Sequence, residues 1–537
     1  MPSSVPGMVS SAPKKFAFIM PLASGHINPS FPIARSLVQL GHEVHYFCVE
    51  PMRAAIEGTG ATFHSSVEHQ REFFTDPSRS VFEHLAMLFQ EVGLGVDLGN
   101  MDLIRSVILE RKLPGTLRFL RSLSPDAVVF CPLIMREAVV AAKVLGIPCV
   151  GLNTIAGPGA ATTLFRTQCA DPDGFIAKAN TFEPEIAAAA RLNKRYGLNL
   201  PPGVELPVGK SYAFTLANLN LVTTSEDLQD PMTEDLARAY ESEGTEFVCV
   251  GPLLDREGAP RAAGHKTQGS SAAAAHNQGG PVVSDQELIA KVRAAREAGR
   301  PVVLVSMGTV ITGDMPSVGW EGRRLGADGL PHGLTGRELC RAAWAGAFDA
   351  FGMSDAAEGP LLLVSLGPQE NPLGDLAAPA NAVCAPVLPQ VELLKAGVDL
   401  FLTHGGQNSF TESLMHATPV VVCPGFGDQP VNASKAVALG VGLKVDRPEP
   451  ATGAEADASA KYQLEVCQAL RTVQQEPRFA AAAAACSERL QAAGGVPRAV
   501  ELILELVTAA EPRQAAGEDK RMSAAFPTQP PGSVAGA

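Results

Sequence analysis

The chain has 537 residues, a length for which the usual domain size of about 150 residues predicts two to four domains. Hydrophobic residues make up 46% of the chain and charged residues 18%, which excludes a largely disordered protein and provides for a sizeable core. The formal net charge of −13 disfavours nucleic acid and anionic membranes as partners, because a surface of that sign repels phosphate and no block of basic residues offsets it.

The ten cysteines are spread singly, with no C-x-x-C pair, and are expected to be reduced thiols in a reducing compartment. The first apolar run, residues 16–23, is shorter than the roughly 20 residues that span a bilayer. The leader before it lacks the charged and apolar regions of a secretory signal. We therefore expect a cytoplasmic protein with no integral membrane segment, and a short organelle address in the leader stays open.

Short apolar runs alternate with amphipathic segments of helical length, which is the pattern of βαβ units and parallel sheets. Strands are predicted in the first half at 16–20, 43–49, 127–131, 148–152, 219–223 and 246–250. Strands are predicted in the second half at 302–306, 361–365, 400–403 and 420–423. The predicted fold class is α/β, with two doubly wound Rossmann-like domains facing across a cleft.

Shifts in composition divide the chain into six predicted parts. They are a disordered leader at 1–14, a first Rossmann-like domain at 15–254, a flexible linker at 255–282, a second Rossmann-like domain at 283–448, C-terminal helices at 449–510 and a disordered tail at 511–537. Residues 310–339 are rich in glycine and charge, so we expect an insertion over the strand ends rather than core.

The most informative motif is the stretch 400–432, LFLTHGGQNSFTESLMHATPVVVCPGFGDQPVN. An apolar strand ends before His404, Gly406 permits a tight turn, and Asn408 with Ser409 opens a helix. Free N–H groups and the positive end of the helix dipole favour an anion at such a turn. The motif therefore predicts a phosphate site, although a His-Gly-Gly turn can also serve only to reverse the chain.

Three further side chains extend this predicted site. Glu412 lies one helical turn beyond Asn408 and can accept hydrogen bonds from a ribose diol. Asp428 and Gln429 follow the next strand and offer the mixed acceptors and donors that sugar hydroxyls require. Asp428 could otherwise cap a turn with Gly427.

Two other strand ends contribute to the same edge of the predicted sheet. The strand 302–306 leads to Gly308 and Thr309, whose backbone and hydroxyl could meet a distal phosphate. Gln390, in the segment VLPQ, is expected to close the nucleotide side of the site.

In the first half, the first strand runs into the segment PLASGHINP, which places His26 at the carboxyl edge of the sheet. Its ordinary pKa is near 6.5, and we expect a helix dipole to lower that pKa further and favour a base. A histidine packed at the start of a helix is the alternative. No G-x-G-x-x-G follows this strand, which argues against a dinucleotide oxidoreductase.

The stretch 387–432 resembles the C-terminal nucleotide-sugar signature of the UDP-glycosyltransferase family, inverting enzymes of GT-B architecture. The match covers H-x-G-x-N-S-x-x-E and the later D-Q, and the wording HGGQNS is nearer the bacterial macrolide-type branch. The resemblance implies an acceptor-binding first domain and a donor-binding second domain. It assigns the donor contacts as follows: Gln390 near the base, Glu412 on ribose, Thr309, His404, Asn408 and Ser409 on the diphosphate, and Asp428 with Gln429 on the sugar.

The resemblance extends to the segment around His26 and implies that this imidazole deprotonates the acceptor hydroxyl. Members of the family usually carry an aspartate at the end of the strand predicted at 127–131 to hold that imidazole, and Cys131 stands at this position here. Asp126 begins the same strand, about 16 Å away, and cannot substitute. Glu137 is a possible replacement, and we expect a slower or differently tuned base.

The expected activity is transfer of a hexose, glucose from UDP-glucose, to a hydroxyl of a small lipophilic acceptor bound by 63–120 and 151–216. The UDP-sugar is a co-substrate, and we expect no cofactor, no metal and a monomer. The sequence Asp171-Pro172-Asp173 imitates a metal motif but lies far from the nucleotide motif. Two alternatives are a nucleotide-sugar-binding pseudoenzyme and a nucleotide-sugar epimerase or hydrolase of the same fold.

Overall fold

A computed structural model describes residues 12–96, 98–169, 171–255, 259, 261–262, 284–315, 318–325 and 331–515. Most of the predicted leader and linker, and the predicted tail after residue 515, lie outside these described residues. The predicted domain bounds stay a prediction. Within the described ranges, no helix combines the length and the apolarity that crossing a bilayer requires.

The first sheet is built from seven parallel strands, and the apolar runs of its central strands are buried on both faces, as helices covering both sides require. Its strands are β1 (Lys15–Ile19), β2 (Glu43–Cys48), β3 (Thr62–Ser65), β4 (Ala127–Phe130), β5 (Cys149–Asn153), β6 (Leu219–Val222) and β7 (Phe247–Cys249). Their order in the sheet is β3-β2-β1-β4-β5-β6-β7. This doubly wound order brings the ends of β1, β4 and β5 together.

Twelve α-helices are described in this half of the chain, apart from short 3₁₀ turns. They are α1 (Ser24–Ile27), α2 (Ser30–Gln39), α3 (Arg53–Glu57), α4 (Ser66–His69), α5 (Val81–Glu91), α6 (Arg105–Leu123), α7 (Arg136–Leu145), α8 (Ala160–Gln168), α9 (Pro172–Thr181), α10 (Glu183–Tyr196), α11 (Tyr212–Thr215) and α12 (Glu234–Ser242).

The second half contains a six-stranded parallel sheet and a small hairpin. The strands are β8 (Val302–Ser306), β9 (Arg324–Leu325), β10 (Pro331–His332), β11 (Leu361–Ser365), β12 (Ala382–Ala385), β13 (Leu400–Thr403), β14 (Val420–Val422) and β15 (Gly442–Lys444). The order in the large sheet is β12-β11-β8-β13-β14-β15, and β9 pairs with β10. The predicted α/β class with two Rossmann-like domains is confirmed.

The helices of this half include three long ones at the end of the chain. They are α13 (Asp285–Glu297), α14 (Gly336–Phe351), α15 (Gln390–Gly397), α16 (Gln407–Met415), α17 (Gln429–Ala438), α18 (Glu455–Gln475), α19 (Pro477–Ala492) and α20 (Gly495–Ala515).

The expectation that 310–339 lies outside the core is wrong for the part that the structure describes. Ile311, Trp320 and Leu334 are buried in the core of the second half. The Trp320 ring lies 6.1 Å from that of Trp344, centroid to centroid. The apolar residues of this segment are scattered among glycines and charged residues and follow neither helical nor strand periodicity. The sequence pattern therefore did not predict their burial.

The last helix returns to the first half of the chain. Ala499, Val500, Ile503 and Val507 of α20 are buried in the core of the first sheet, not in that of the second. The helix continues to Ala515, five residues into the predicted disordered tail. The chain therefore passes between the two halves twice.

Candidate active site

The two predicted halves of the site meet across the cleft between the sheets. His26 lies in α1, directly after the carboxyl end of β1, and His404 follows the carboxyl end of β13. The Asn408 side chain in the first turn of α16 donates from Nδ2 to the carbonyl oxygen of Gly25 at 2.8 Å. This bond joins the predicted phosphate loop to the residue that precedes the predicted base.

The imidazole of His26 is held at Nδ1 by two neutral side chains. Thr154 Oγ1 lies 2.9 Å from Nδ1, and Cys131 Sγ lies 3.4 Å from it. Cys131 follows β4 and Thr154 follows β5, so the order of the sheet brings both to the end of β1. Sequence reasoning found Cys131 and missed Thr154, although its place directly after a predicted strand was the available signal.

Burial keeps the side chains of both His26 and Cys131 uncharged. Burial lowers the pKa of His26 to about 4 and raises the pKa of Cys131 to about 11, so both are neutral at pH 7. The sequence had suggested a helix dipole as the cause of the low pKa, but α1 has only four residues and burial accounts for the shift. A neutral imidazole can accept a proton at the nitrogen that Thr154 does not engage.

Glu137 does not take the position predicted for it. This buried carboxylate lies 3.5 Å from Lys112 Nζ and accepts a hydrogen bond from Gln70 Nε2 at 3.4 Å. No hydrogen bond joins Glu137 to His26 in the described part of the chain. Thr154 occupies the place beside the imidazole that was suggested for Glu137.

Two glycines let the backbone enclose the imidazole of His404. A Cβ atom at either Gly308 or Gly406 would come within 2.6 Å of His404 Nε2, and Gly308 also has a φ of +87°. Burial lowers the pKa of His404 to about 4, so it is neutral at pH 7 and can still donate one N–H. The neighbouring Thr309 is exposed. The ends of β8 and β13, which are predicted to meet at a phosphate, are therefore adjacent.

The buried carboxylate of Glu412 is the centre of a partly buried polar cluster. Gln390 Nε2 donates to Glu412 Oε2 at 2.7 Å and to Ser409 Oγ at 3.2 Å. The other carboxylate oxygen, Oε1, accepts from Arg261 Nη2 at 2.7 Å. Sequence reasoning did not find Arg261, because its segment has no periodicity and matches no motif.

Asp428 and Gln429 brace the turn between β14 and α17. Asp428 Oδ2 accepts from the backbone N–H of Gln407 at 2.7 Å, and burial raises the pKa of Asp428 to about 6. Gln429 Oε1 accepts from the N–H of Gly425 at 2.7 Å and from that of Phe426 at 3.2 Å. One oxygen of each side chain is therefore engaged within the loop that was predicted to hold the sugar.

Comparison with known proteins finds glycosyltransferases that resemble this chain. Residues 371–458 match the family model for UDP-glucoronosyl and UDP-glucosyl transferases. The uncharacterized UDP-glucosyltransferase YojK of Bacillus subtilis is 34% identical over 24% of this chain and 29% of that protein. The NDP-glycosyltransferase YjiC of Bacillus licheniformis is 23% identical over 80% of this chain and 85% of that protein.

Residues 371–458 therefore carry the signature of the UDP-glycosyltransferase family. The resemblance predicted from the sequence is confirmed, and glycosyl transfer is its class of activity. The crystal structure of CalG4, the calicheamicin glycosyltransferase, superposes with a TM-score of 0.59 over 93% of this chain and 99% of that chain, at 16% identity. This likeness establishes the GT-B fold.

The motif that imitates a metal site has a structural role in this glycosyltransferase. Asp171 is the N-cap of α9, and its Oδ1 accepts from the backbone N–H of Gly174 at 3.0 Å. Among the residues that the structure describes, no group of three or more histidine, cysteine, aspartate or glutamate side chains is arranged to hold a metal ion.

A large cavity of the glycosyltransferase lies away from His26. Its volume is about 750 Å³, and its lining includes Lys143, Leu200, Tyr212 and Leu216. Lys143 lies near the end of α7, and Leu216 precedes β6, so the cavity opens at the amino edge of the first sheet. The base is at the carboxyl edge, and this cavity is therefore not the acceptor pocket.

Proposed function

We propose that this glycosyltransferase moves a hexose, glucose from UDP-glucose, to a hydroxyl of a small lipophilic acceptor with inversion at the anomeric carbon. The bond from Asn408 to the Gly25 carbonyl carries the proposal. Asn408 belongs to α16, the helix that would hold the diphosphate, and His26 directly follows Gly25. The bond therefore places the base next to the proposed donor site. A base and an activated sugar on opposite sides of one cleft are the requirements of a single displacement.

The contacts of His26 suggest how the proton moves. With Nδ1–H donating to Thr154 Oγ1, the Nε2 atom carries the lone pair. The acceptor hydroxyl gives its proton to Nε2 while its oxygen forms a bond to the anomeric carbon. The bond from that carbon to the diphosphate oxygen breaks, and UDP leaves with the electron pair. Attack from the face opposite UDP inverts the configuration.

On the donor side, the first turn of α16 offers backbone N–H groups and the side chains of Asn408 and Ser409 to the diphosphate. Donors aimed at the leaving group stabilise the charge that develops on it. Glu412 would take the ribose, and Asp428 with Gln429 the sugar. The reaction uses the UDP-sugar as co-substrate and needs no further cofactor.

Exposed apolar side chains support a lipophilic acceptor. Phe82 and Met87 of α5 and Ile134, three residues after Cys131, are exposed although large and hydrophobic. They follow β3 and β4 and so belong to the carboxyl edge where His26 lies. Pockets for small lipophilic molecules have such apolar linings with few polar groups.

One observation favours a second candidate, a pseudoenzyme that binds a nucleotide-sugar without transferring it. His26 has a hydroxyl and a thiol beside Nδ1 and no carboxylate, so an imidazolium there gains little electrostatic stabilisation. An epimerase or hydrolase of the same architecture is a third candidate, which release of free sugar without an acceptor would favour.

A transfer assay separates these functions. The full chain is incubated with UDP-glucose, UDP-galactose, UDP-glucuronate or dTDP-glucose and with a panel of phenolic, sterol and polyketide acceptors, and products are analysed by mass spectrometry and proton NMR. The proposal predicts a hexoside from UDP-glucose, with the β configuration in the coupling of its anomeric proton. Donor binding without any product across the panel, or an α-glycoside, would contradict it.

A further inference from the structure

Residues 261–262, between the two halves of the chain, lie beside the site. The backbone N–H of Ala262 donates to Asn28 Oδ1 at 2.8 Å, and Asn28 Nδ2 donates to the carbonyl oxygen of Ala262 at 3.3 Å. Asn28 is two residues beyond His26 in the chain. This reciprocal pair fixes the backbone next to Arg261 at the first-domain side of the cleft.

The side chain of Arg261 reaches from there to the second domain. Its Nη2 donates to Glu412 Oε1 at 2.7 Å, while Gln390 occupies Oε2. Glu412 is only 4% exposed, and a buried carboxylate without a partner is strongly destabilising. Arg261 therefore acts as the counterion of the residue that is proposed to hold the ribose, and both carboxylate oxygens are in use.

The side chains proposed to meet the diphosphate carry no positive charge. The Arg261 guanidinium could supply the charge that they lack. The diphosphate of a nucleotide-sugar carries two negative charges at pH 7. The side chains proposed to meet it, those of Thr309, His404, Asn408 and Ser409, are all neutral there, because burial lowers the pKa of His404 to about 4. A guanidinium is the side chain that matches phosphate oxygens best in geometry and charge.

We propose that Arg261 is a donor-binding residue, which exchanges its pairing with Glu412 for the diphosphate of a bound UDP-sugar. The long side chain turns while the bonds of Ala262 hold the backbone in place. The same movement frees Glu412 Oε1 for a ribose hydroxyl. Recognition of the ribose and of the diphosphate is thereby coupled, and the inference rests on the proposed function of the site.

Affinities for UDP and for uridine, measured by isothermal titration calorimetry on the full chain, test this role. We expect Arg261→Ala to weaken UDP binding by about 10- to 100-fold, the range for a hydrogen bond to a charged group. Uridine binding should change by less than about threefold, because uridine lacks the diphosphate. Arg261→Lys should recover part of the affinity for UDP.

The matched control is Arg498→Ala, which removes another arginine paired with a glutamate, Glu501 at 2.6 Å, on an exposed face of α20. It should leave both affinities unchanged. Because Arg261→Ala leaves a buried carboxylate unpaired, the comparison is repeated between Glu412→Gln and the double variant Arg261→Ala/Glu412→Gln. The inference predicts the same selective loss of UDP affinity in the double variant.

Two results would overturn the inference and are distinguishable. If the unmodified protein binds UDP and transfers sugar, but both Arg261→Ala comparisons leave UDP affinity unchanged or tighter, Arg261 is only the counterion of Glu412. If the unmodified protein binds neither uridine nor UDP, the proposed donor site fails and the role of Arg261 fails with it.

Discussion

A carboxylate placed beside His26 should move the pH dependence of the reaction. Replacing Cys131 with aspartate puts a negative charge near Nδ1, from which the present sulfur lies 3.4 Å. At that distance and an effective dielectric constant of about 20, the attraction for an imidazolium is roughly 4 to 5 kcal/mol. Solvent at the cleft screens part of it, which leaves a rise of about 2 to 3 pKa units.

The pKa of His26 should therefore rise from about 4 to roughly 6 to 7 in Cys131→Asp. In the unmodified enzyme the base is deprotonated above about pH 4, so kcat/KM for the acceptor, measured at saturating UDP-sugar, should fall only as the pH approaches that value. In the variant the acid limb should appear near pH 6 to 7. Above it kcat should rise, because the carboxylate stabilises the imidazolium formed during transfer.

The assay is kcat/KM for the acceptor at saturating UDP-sugar, followed by UDP release between pH 4 and 9, with Cys131→Asn as the matched control of equal size and no charge. The control should keep the acid limb of the unmodified enzyme. Coincident profiles for the aspartate and asparagine variants would refute the assignment of His26 as the base held at Nδ1.

Three further predictions concern the partners of the site and the core. Thr154→Val removes the hydroxyl that holds His26 and should lower kcat by about 10- to 100-fold with little change in the donor KM, as initial rates would show; an unchanged kcat would contradict this. The pKa of Asp428 is raised to about 6, so the donor KM should rise as the pH falls below 6 and the carboxylate takes up a proton. Asp428→Asn should lose this pH dependence in steady-state kinetics, and a variant that keeps it would exclude Asp428 as the titrating group. Trp320→Ala should lower the free energy of unfolding in urea by about 3 to 5 kcal/mol, since the ring is buried against Trp344; an unchanged stability would remove Trp320 from the core.

The central strands and the donor motif could be predicted from the sequence, because both depend on local pattern. A strand buried on both faces is a continuous apolar run, as in VVLVS of β8, and the polar residues directly after it fall at the carboxyl edge. Besides the small β9-β10 hairpin, the pattern missed β3, β12 and β15, which are edge strands of the two large sheets. β3 and β15 form no apolar run, and β12 is a short half-buried run of four residues, AVCA.

The partners of the site residues could not be predicted in the same way, because they depend on contacts between distant segments. Thr154 reaches His26 only because β5 lies second from β1 in the sheet. Arg261 reaches Glu412 from a segment with no periodicity. Burial lowers the pKa of His26, and it is a property of the folded cleft that the neighbouring residues in the sequence do not reveal.

The most direct measurement of the central claim is the rate of glucosyl transfer by His26→Ala, at saturating UDP-glucose and acceptor. We predict a kcat lower by about 10²- to 10⁴-fold, the usual contribution of a general base, with an unchanged Kd for UDP. A variant that transfers glucose within a few-fold of the unmodified rate would contradict the claim that this imidazole activates the acceptor.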